Sequence, residues 1–270
     1  MSDSQVDPDR YEALQFDRVG AVLRVTIDHP RSALNTVDGL LHDEFTRLFA
    51  QTLKRENVAR CVLLTGTGRA FSAGGDFDWF PTLDNLARLE HLRRDAKQMI
   101  WDLLDVPLPI VAAVKGPAIG LGASLALLCD VIWMAESATI ADPHVLVGLV
   151  AGDGGAAIWP LAVGPAHAKE YLLTGDAVTA VEAERMGLVN HVVPDAELQD
   201  AALGFATRLA MGAPLAVQYT KQAVNKVVKN ALNAAFDAST ALEIVTFQSD
   251  DHREALAAIQ EKRIPDFRGR

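Results

Sequence analysis

The stretch "PIVAAVKGPAIGLGASLALLCDVIWMAE", residues 109–136, decides the fold class. It opens with an apolar strand-like run over 109–116 and passes through closely spaced glycines. It continues as a helix over 122–129 ("GASLALLC") and returns to an apolar strand over 130–136 ("DVIWMAE"). Strand, helix and strand in so short a span indicate an α/β fold.

The alternation extends outward from this stretch. "AVLRVTID" (21–28) alternates apolar and polar residues and is rich in β-branched types, so it is expected to pair as a hairpin with "EALQFDRV" (12–19) across Gly20. Leu41, Phe45, Leu48, Phe49 and Leu53 repeat at helical spacing over 37–55; "RCVLLTG" (60–66) follows as a short buried strand. A polar helix over about 84–104 precedes the opening stretch. From Asp195 the character changes: residues 195–261 have the pattern of three or four amphipathic helices, with "GAP" at 212–214 as the clear break. Two sections are expected, an α/β core over 1–194 and a helical C-terminal section over 195–270.

Half of the 270 residues are hydrophobic, enough for a sizeable core. The formal net charge is −10 and no block of like charge runs through the chain, which argues against nucleic acid or an anionic membrane as partner. No apolar run reaches the ~18 residues of a membrane span, and the acidic start "MSDSQVDPDRYEALQ" lacks the pattern of a signal peptide. Cys61 and Cys129, the only two cysteines, sit in apolar runs as small buried thiols, which suits a reducing compartment. A cytoplasmic location is the simplest expectation.

Two glycine-rich loops follow strands. "LLTGTGRAFSAGGDFDWF" (63–80) fails the dinucleotide register, because Phe71 falls where the third glycine of G-x-G-x-x-G belongs, and no Walker lysine follows. "KGPAIGLGASLALLCD" (115–130) leads from strand to helix, where glycines let backbone amides approach a ligand. Two such loops side by side could aim two backbone N–H groups at one carbonyl oxygen, as an oxyanion hole requires. Spacing alone is equally met by tight turns.

With these loops, "HPRSALNT" (29–36), "LLTGDAVTAVEAERMGLVNHVVP" (172–194) and "FQSDDHREALAAIQEKR" (247–263), the chain resembles the crotonase, or enoyl-CoA hydratase/isomerase, superfamily over about residues 12–267. The resemblance implies a ClpP-like spiral of ββα repeats, a helical C-terminal section used in trimer formation, and a homotrimer or dimer of trimers. It implies an acyl-CoA substrate, with coenzyme A as part of that substrate and no permanently bound cofactor. By position, Gly75 and Leu121 supply the two amides. Arg31, Ala33 and Ala73 match positions lining the CoA moiety, and Phe247 and Lys262 match positions closing over its nucleotide end.

Hydratases of this family use two glutamates to move the elements of water. Those positions hold Ser124 and His144. Serine has no useful acidity for that task. Within "ADPHVLVGLVAGDGGAAIWP" (141–160), His144 and Asp153 offer a replacement: a histidine titrates near neutrality, and a carboxylate hydrogen-bonded to its ring would fix the tautomer and stabilise the imidazolium. This spacing and His42 resemble a branch that cleaves cyclic β-diketones without CoA. Three readings stay open: enoyl-CoA chemistry with Asp153 or His144 as acid or base, β-diketone hydrolysis, and acyl-CoA binding without catalysis.

The bland alternatives are a packing histidine at 144 and a helix N-cap at Asp153. Glu243 is a further candidate, since the C-terminal helices can reach an active site in an oligomer. Glu44, Asp76 and Asp78 are expected to cap helices or face solvent, and Trp79 and Phe80 to wall the pocket or pack the core. The histidines show no H-x-x-x-H spacing, so no metal site is expected.

Overall fold

The computed structural model describes residues 6–270. Strands β1 (Leu14–Val19) and β2 (Val22–Ile27) form the expected hairpin, with Leu14 opposite Ile27 and Val19 opposite Val22. The chain then winds in repeats that place one segment in a large sheet, the next in a second layer, and then a helix. After β2, Val37 forms a single parallel bridge to Gly75, and α1 (Gly39–Arg47) follows, capped by the Asp38 carboxylate on the Leu41 amide. A π-helical turn (Leu48–Thr52) continues it into one last turn, α2 (Leu53–Arg55). After β3 (Cys61–Gly66), Ser72 bridges Ala118, and α3 (Leu86–Leu104) follows.

The third and fourth repeats carry true strands in both layers. These are β4 (Ile110–Val114), β5 (Pro117–Ile119) and α4 (Leu121–Leu127), then β6 (Val131–Ala135), β7 (Thr139–Ala141) and α5 (Gly155–Thr174). β8 (Val178–Thr179), α6 (Ala180–Met186) and β9 (His191–Val193) complete the sheets. The large sheet runs β1-β2-β3-β4-β6-β9, parallel after its antiparallel hairpin, and the small one β5-β7-β8. Strands β3 and β4 are buried at every residue, as continuous apolar runs in a doubly covered parallel sheet should be.

Three helices end the chain: α7 (Leu198–Ala210), α8 (Pro214–Phe247) and α9 (Asp250–Glu261). α7 buries Leu198, Ala202, Ala206 and Ala210 in the main core against the large sheet. Besides the expected break at 212–214, a second separates α8 from α9, where the Ser249 hydroxyl accepts from the His252 amide. α8 packs on α3 and α5 and leaves Leu215, Tyr219, Val224, Val227 and Val245 exposed. Among the described residues no helix is long and apolar enough to cross a membrane. Cys61 and Cys129 are free and buried, with thiols pushed up by burial, Cys61 to about 12.

Candidate active site

The second layer of the spiral ends on one side in three consecutive turns. The turn after the Ser72 bridge carries Gly74 and Gly75; the turn after β5 carries Gly120 and Leu121; the turn after β7 carries Asp142 and His144. Gly120 is the hinge of the middle turn. Its φ of 54° favours glycine, and a Cβ there would lie 3.5 Å from the His144 ring and 3.9 Å from the Gly74 Cα, so the three turns converge at this point. α8 closes the opposite side. The resulting cleft is lined by Gly75, Leu121, His144, Asp153, Glu243 and Phe247 together with His42, Trp79 and Phe80.

Among the described residues, the Gly75 and Leu121 amides have no hydrogen-bond acceptor within the protein. Leu121 is the first residue of α4, whose orphan N–H groups point out of the helix start. Their neighbours are spoken for: the Gly120 amide donates to Ala141 O at 3.0 Å and the Asp76 amide to Val37 O at 3.0 Å.

Four acid–base side chains face one another beside these amides. Nδ1 of His144 is hydrogen-bonded to Asp142 Oδ1, while Nε2 lies 3.6 Å from Asp153 Oδ2 and 3.8 Å from Glu243 Oε1. Ser124 donates its hydroxyl to Asp153 Oδ1 at 3.1 Å. Thus at one lost glutamate position a serine holds a carboxylate, and at the other a histidine is surrounded by three.

Charge state follows from this crowding. Burial is the largest influence on His144 and opposes the imidazolium, but the Asp142, Asp153 and Glu243 carboxylates together outweigh it and raise the ring well above its ordinary value. Burial pushes Glu243 up to about 8; the His144 charge opposes this, and Asp153 and Asp142 reinforce it. Asp153 is pushed up to about 6 by burial, against the pull of His144, with Asp142 raising it further and the Ser124 hydroxyl and Gly155 amide lowering it. These directions favour a charged His144 ring and a Glu243 that gives up its proton at higher pH than Asp153.

Glu243 gives a first stability prediction. Its folded-state value lies above the ordinary 4.5, so its contribution is present at low pH and is lost as pH rises toward 8. Glu243→Gln is therefore expected to stabilise the fold by an increment that grows between pH 5 and pH 8, read from denaturant unfolding at both pH values.

Several sequence expectations need correction. The carboxylate hydrogen-bonded to the His144 ring is that of Asp142; Asp153 faces the other nitrogen at 3.6 Å. Helix α5 begins with Gly154 as N-cap, so Asp153 stands one residue before the cap position, with its carboxylate still meeting the Gly155 amide. Glu243 reaches the cleft within the same chain. Glu44 neither caps a helix nor meets solvent; it is 2% exposed and accepts the Glu12 and Ala13 amides, tying the N-terminal segment to α1. No metal spacing was expected from the histidines, yet Asp142, His144 and Asp153 bring ligand-type atoms within 4.8 Å of one another. Both ring nitrogens there face carboxylates, and an imidazolium supplies the positive charge the group requires.

Of the residues matched to CoA contacts, two adjoin this cluster: Phe247 stacks edge-on with Phe80 at 5.8 Å in the cleft, and Ala73 lines a pocket with Gly75, Gly120 and His144 that continues into a groove beside Asp76 and Asp78. Ala33 is exposed and its carbonyl accepts the Arg69 amide. Arg31 is already paired, at 3.0 Å with Asp38 and 3.7 Å with Glu12. Lys262 is exposed and left-handed, with φ 55°, as the C-cap of α9. The overlooked residue is Asp142. Its signal was its place in "ADPHV", two residues from His144 across Pro143.

With the geometry in place, the comparisons converge. Residues 17–270 match the enoyl-CoA hydratase/isomerase family. The 2,3-dehydroadipyl-CoA hydratase of Escherichia coli is 33% identical over 258 residues, covering 95% of this chain and 99% of the relative. Two solved structures superpose closely. An enoyl-CoA hydratase/isomerase from Mycobacterium paratuberculosis matches with TM-score 0.85 and 38% identity, over 91% of this chain and 97% of that one. A β-diketone hydrolase from the cyanobacterium Anabaena, bound to (S)-3-oxocyclohexyl acetic acid, matches with TM-score 0.82 and 32% identity, over 88% and 95%. The chain is an enzyme of the enoyl-CoA hydratase/isomerase family and has the crotonase fold.

Proposed function

We propose that the protein acts on an acyl-CoA thioester, moving a proton at the α-carbon of an enoyl-CoA or its hydrated form. The observation that carries this reading is the pair of open amides, Gly75 and Leu121, in the same cleft as His144, Asp153 and Glu243. The thioester oxygen accepts both N–H groups, and the negative charge it gains as the enolate forms is held there; one such donor contributes about 3 kcal/mol in the transition state. The dipole of α4, starting at Leu121, adds to this in sign.

In the hydration direction Asp153 takes a proton from water as its oxygen bonds to the β-carbon. The His144 imidazolium then delivers a proton to the α-carbon, with Glu243 as a second donor. Asp153 must be ionised and Glu243 protonated, which sets limbs at about 6 and about 8. A bell-shaped kcat/KM between them is expected with crotonyl-CoA or longer enoyl-CoAs, and a flat profile across pH 5–9 would count against these roles. Coenzyme A belongs to the substrate, and no resident cofactor enters the scheme. Calorimetry with acetoacetyl-CoA tests the binding step; failure to bind any acyl-CoA ends this reading.

A second reading is favoured by the Anabaena neighbour and by the charge around the approach. The groove beside Gly75 is lined by Asp76 and Asp78, and Arg31 is held by two carboxylates, which leaves Lys262 as the basic side chain of the matched set open to the CoA phosphates. In that case His144 and Asp153 activate water to attack a ketone of a cyclic 1,3-diketone. The carbon–carbon bond then breaks, and the departing enolate is held at Gly75 and Leu121 before taking a proton. Turnover of such a diketone without CoA decides for it. Assembly as a homotrimer or dimer of trimers belongs to either scheme, supported by the exposed apolar side chains of α8, and sedimentation measures it.

A further inference from the structure

We infer that Asp142 is the positioning residue that fixes the tautomer and orientation of His144, so that Nε2 is the atom offered to the reaction; this rests on His144 acting as proposed above. Asp142 is 1% exposed, and its Oδ1 meets Nδ1 of His144. A carboxylate facing a ring nitrogen must receive a hydrogen from it, because two acceptors would repel; Nδ1 therefore carries a proton in every state of the ring. The proton that comes and goes is confined to Nε2, the nitrogen facing Asp153, Glu243 and the cleft.

The local chain is built for this contact. Asp142 follows the last residue of β7, and Pro143 turns the backbone into the single 3-10 turn His144–Val147. Asp142 Oδ2 has no hydrogen-bond partner and lies against the first residue of α5, where a Cβ on Gly155 would sit 1.8 Å from it. An unpartnered buried carboxylate oxygen is costly, and it is tolerated here because the other oxygen is held by a ring that can carry full positive charge. Asp153 and Glu243 then remain free to exchange protons, since neither is needed to hold the ring.

The 15N resonances of the His144 ring, assigned by comparison with His144→Gln, test the assignment without any substrate. In the wild type Nδ1 is expected to stay protonated through the titration while Nε2 titrates. Asp142→Asn is expected to populate the other tautomer and to lower the pH at which the ring titrates; Asp153→Asn is expected to leave the Nδ1 proton in place. In turnover, Asp142→Asn should lower kcat by about 10²- to 10⁴-fold with KM changed far less, as when the wrong tautomer is installed in a hydrolase triad. Should Asp142→Asn fail to fold, retention of the Nδ1 proton in Asp153→Asn supports the assignment by itself, and its loss there overturns it. A folded Asp142→Asn with a wild-type tautomer and titration also overturns it. If the ring behaves as expected but no acyl-CoA or diketone is turned over, the positioning role stands and the functional reading falls.

Discussion

Replacing His144 by glutamine is expected to lower kcat/KM by about 10³-fold, within the range found when a positioned acid–base group is removed, while acyl-CoA binding persists. The effect is large because His144 is the only cation among four buried or half-buried ionisable groups, so its loss removes a proton donor and also changes what the carboxylates can do. Without the imidazolium, the Asp142 and Asp153 carboxylates repel one another uncompensated, which favours proton uptake at Asp153. Asp153 then stays protonated to higher pH and ceases to be a base near neutrality. Binding is preserved because the Gly75 and Leu121 amides are backbone groups untouched by the change. The check is a steady-state comparison across pH with a calorimetric titration of acetoacetyl-CoA; a His144→Gln enzyme with wild-type kcat would remove the residue from the mechanism.

Trp159→Ala is expected to destabilise the protein by about 3–5 kcal/mol, the range for deleting a large buried aromatic ring. Trp159 is fully buried and packs against Tyr171, its ring centroid 6.0 Å away, in the first half of α5, before the backbone leaves helical geometry at Gly164. Its indole nitrogen has no partner, so the cost is packing and not a lost hydrogen bond. Trp159→Phe should therefore retain much of the stability that alanine loses. Denaturant unfolding of the two variants distinguishes this from a substrate-facing role, for which both variants would keep native stability and lose activity. The consequence for function is indirect: the start of α5 carries Gly155 against Asp142, with Asp153 just before it.

The spiral was legible where its repeats were longest. The strand, glycine turn and helix of 109–136 appear as β4, β5, α4 and β6, with only β5 hidden, because three residues are too few for a period to show. The earlier repeats were less legible. Their second-layer segments shrink to the single bridges Val37–Gly75 and Ser72–Ala118, whose register is set by tertiary pairing and leaves no pattern in the chain. In the site, the turn residues Gly75, Leu121 and His144 were visible from motif and position. Asp142 shares "ADPHV" with His144, but spacing alone does not say which of the two nearby carboxylates, Asp142 or Asp153, meets the ring. The involvement of Glu243 depends on how a 34-residue helix lies across the spiral, which amphipathic periodicity does not specify. The pairing of Arg31 with Asp38 and Glu12 is likewise a matter of folded proximity, and it weakens a phosphate-binding role that position alone suggested.

Solvent deuterium incorporation is the most direct test of α-carbon proton transfer in the Gly75/Leu121 cleft. The enzyme is incubated in D2O with crotonyl-CoA or a saturated acyl-CoA, and the acyl chain is followed by NMR. The account predicts deuterium at the α-carbon with the wild-type protein and its loss with His144→Gln. A folded wild-type protein that binds these thioesters yet leaves every α-position unlabelled and every enoyl group unhydrated would contradict it.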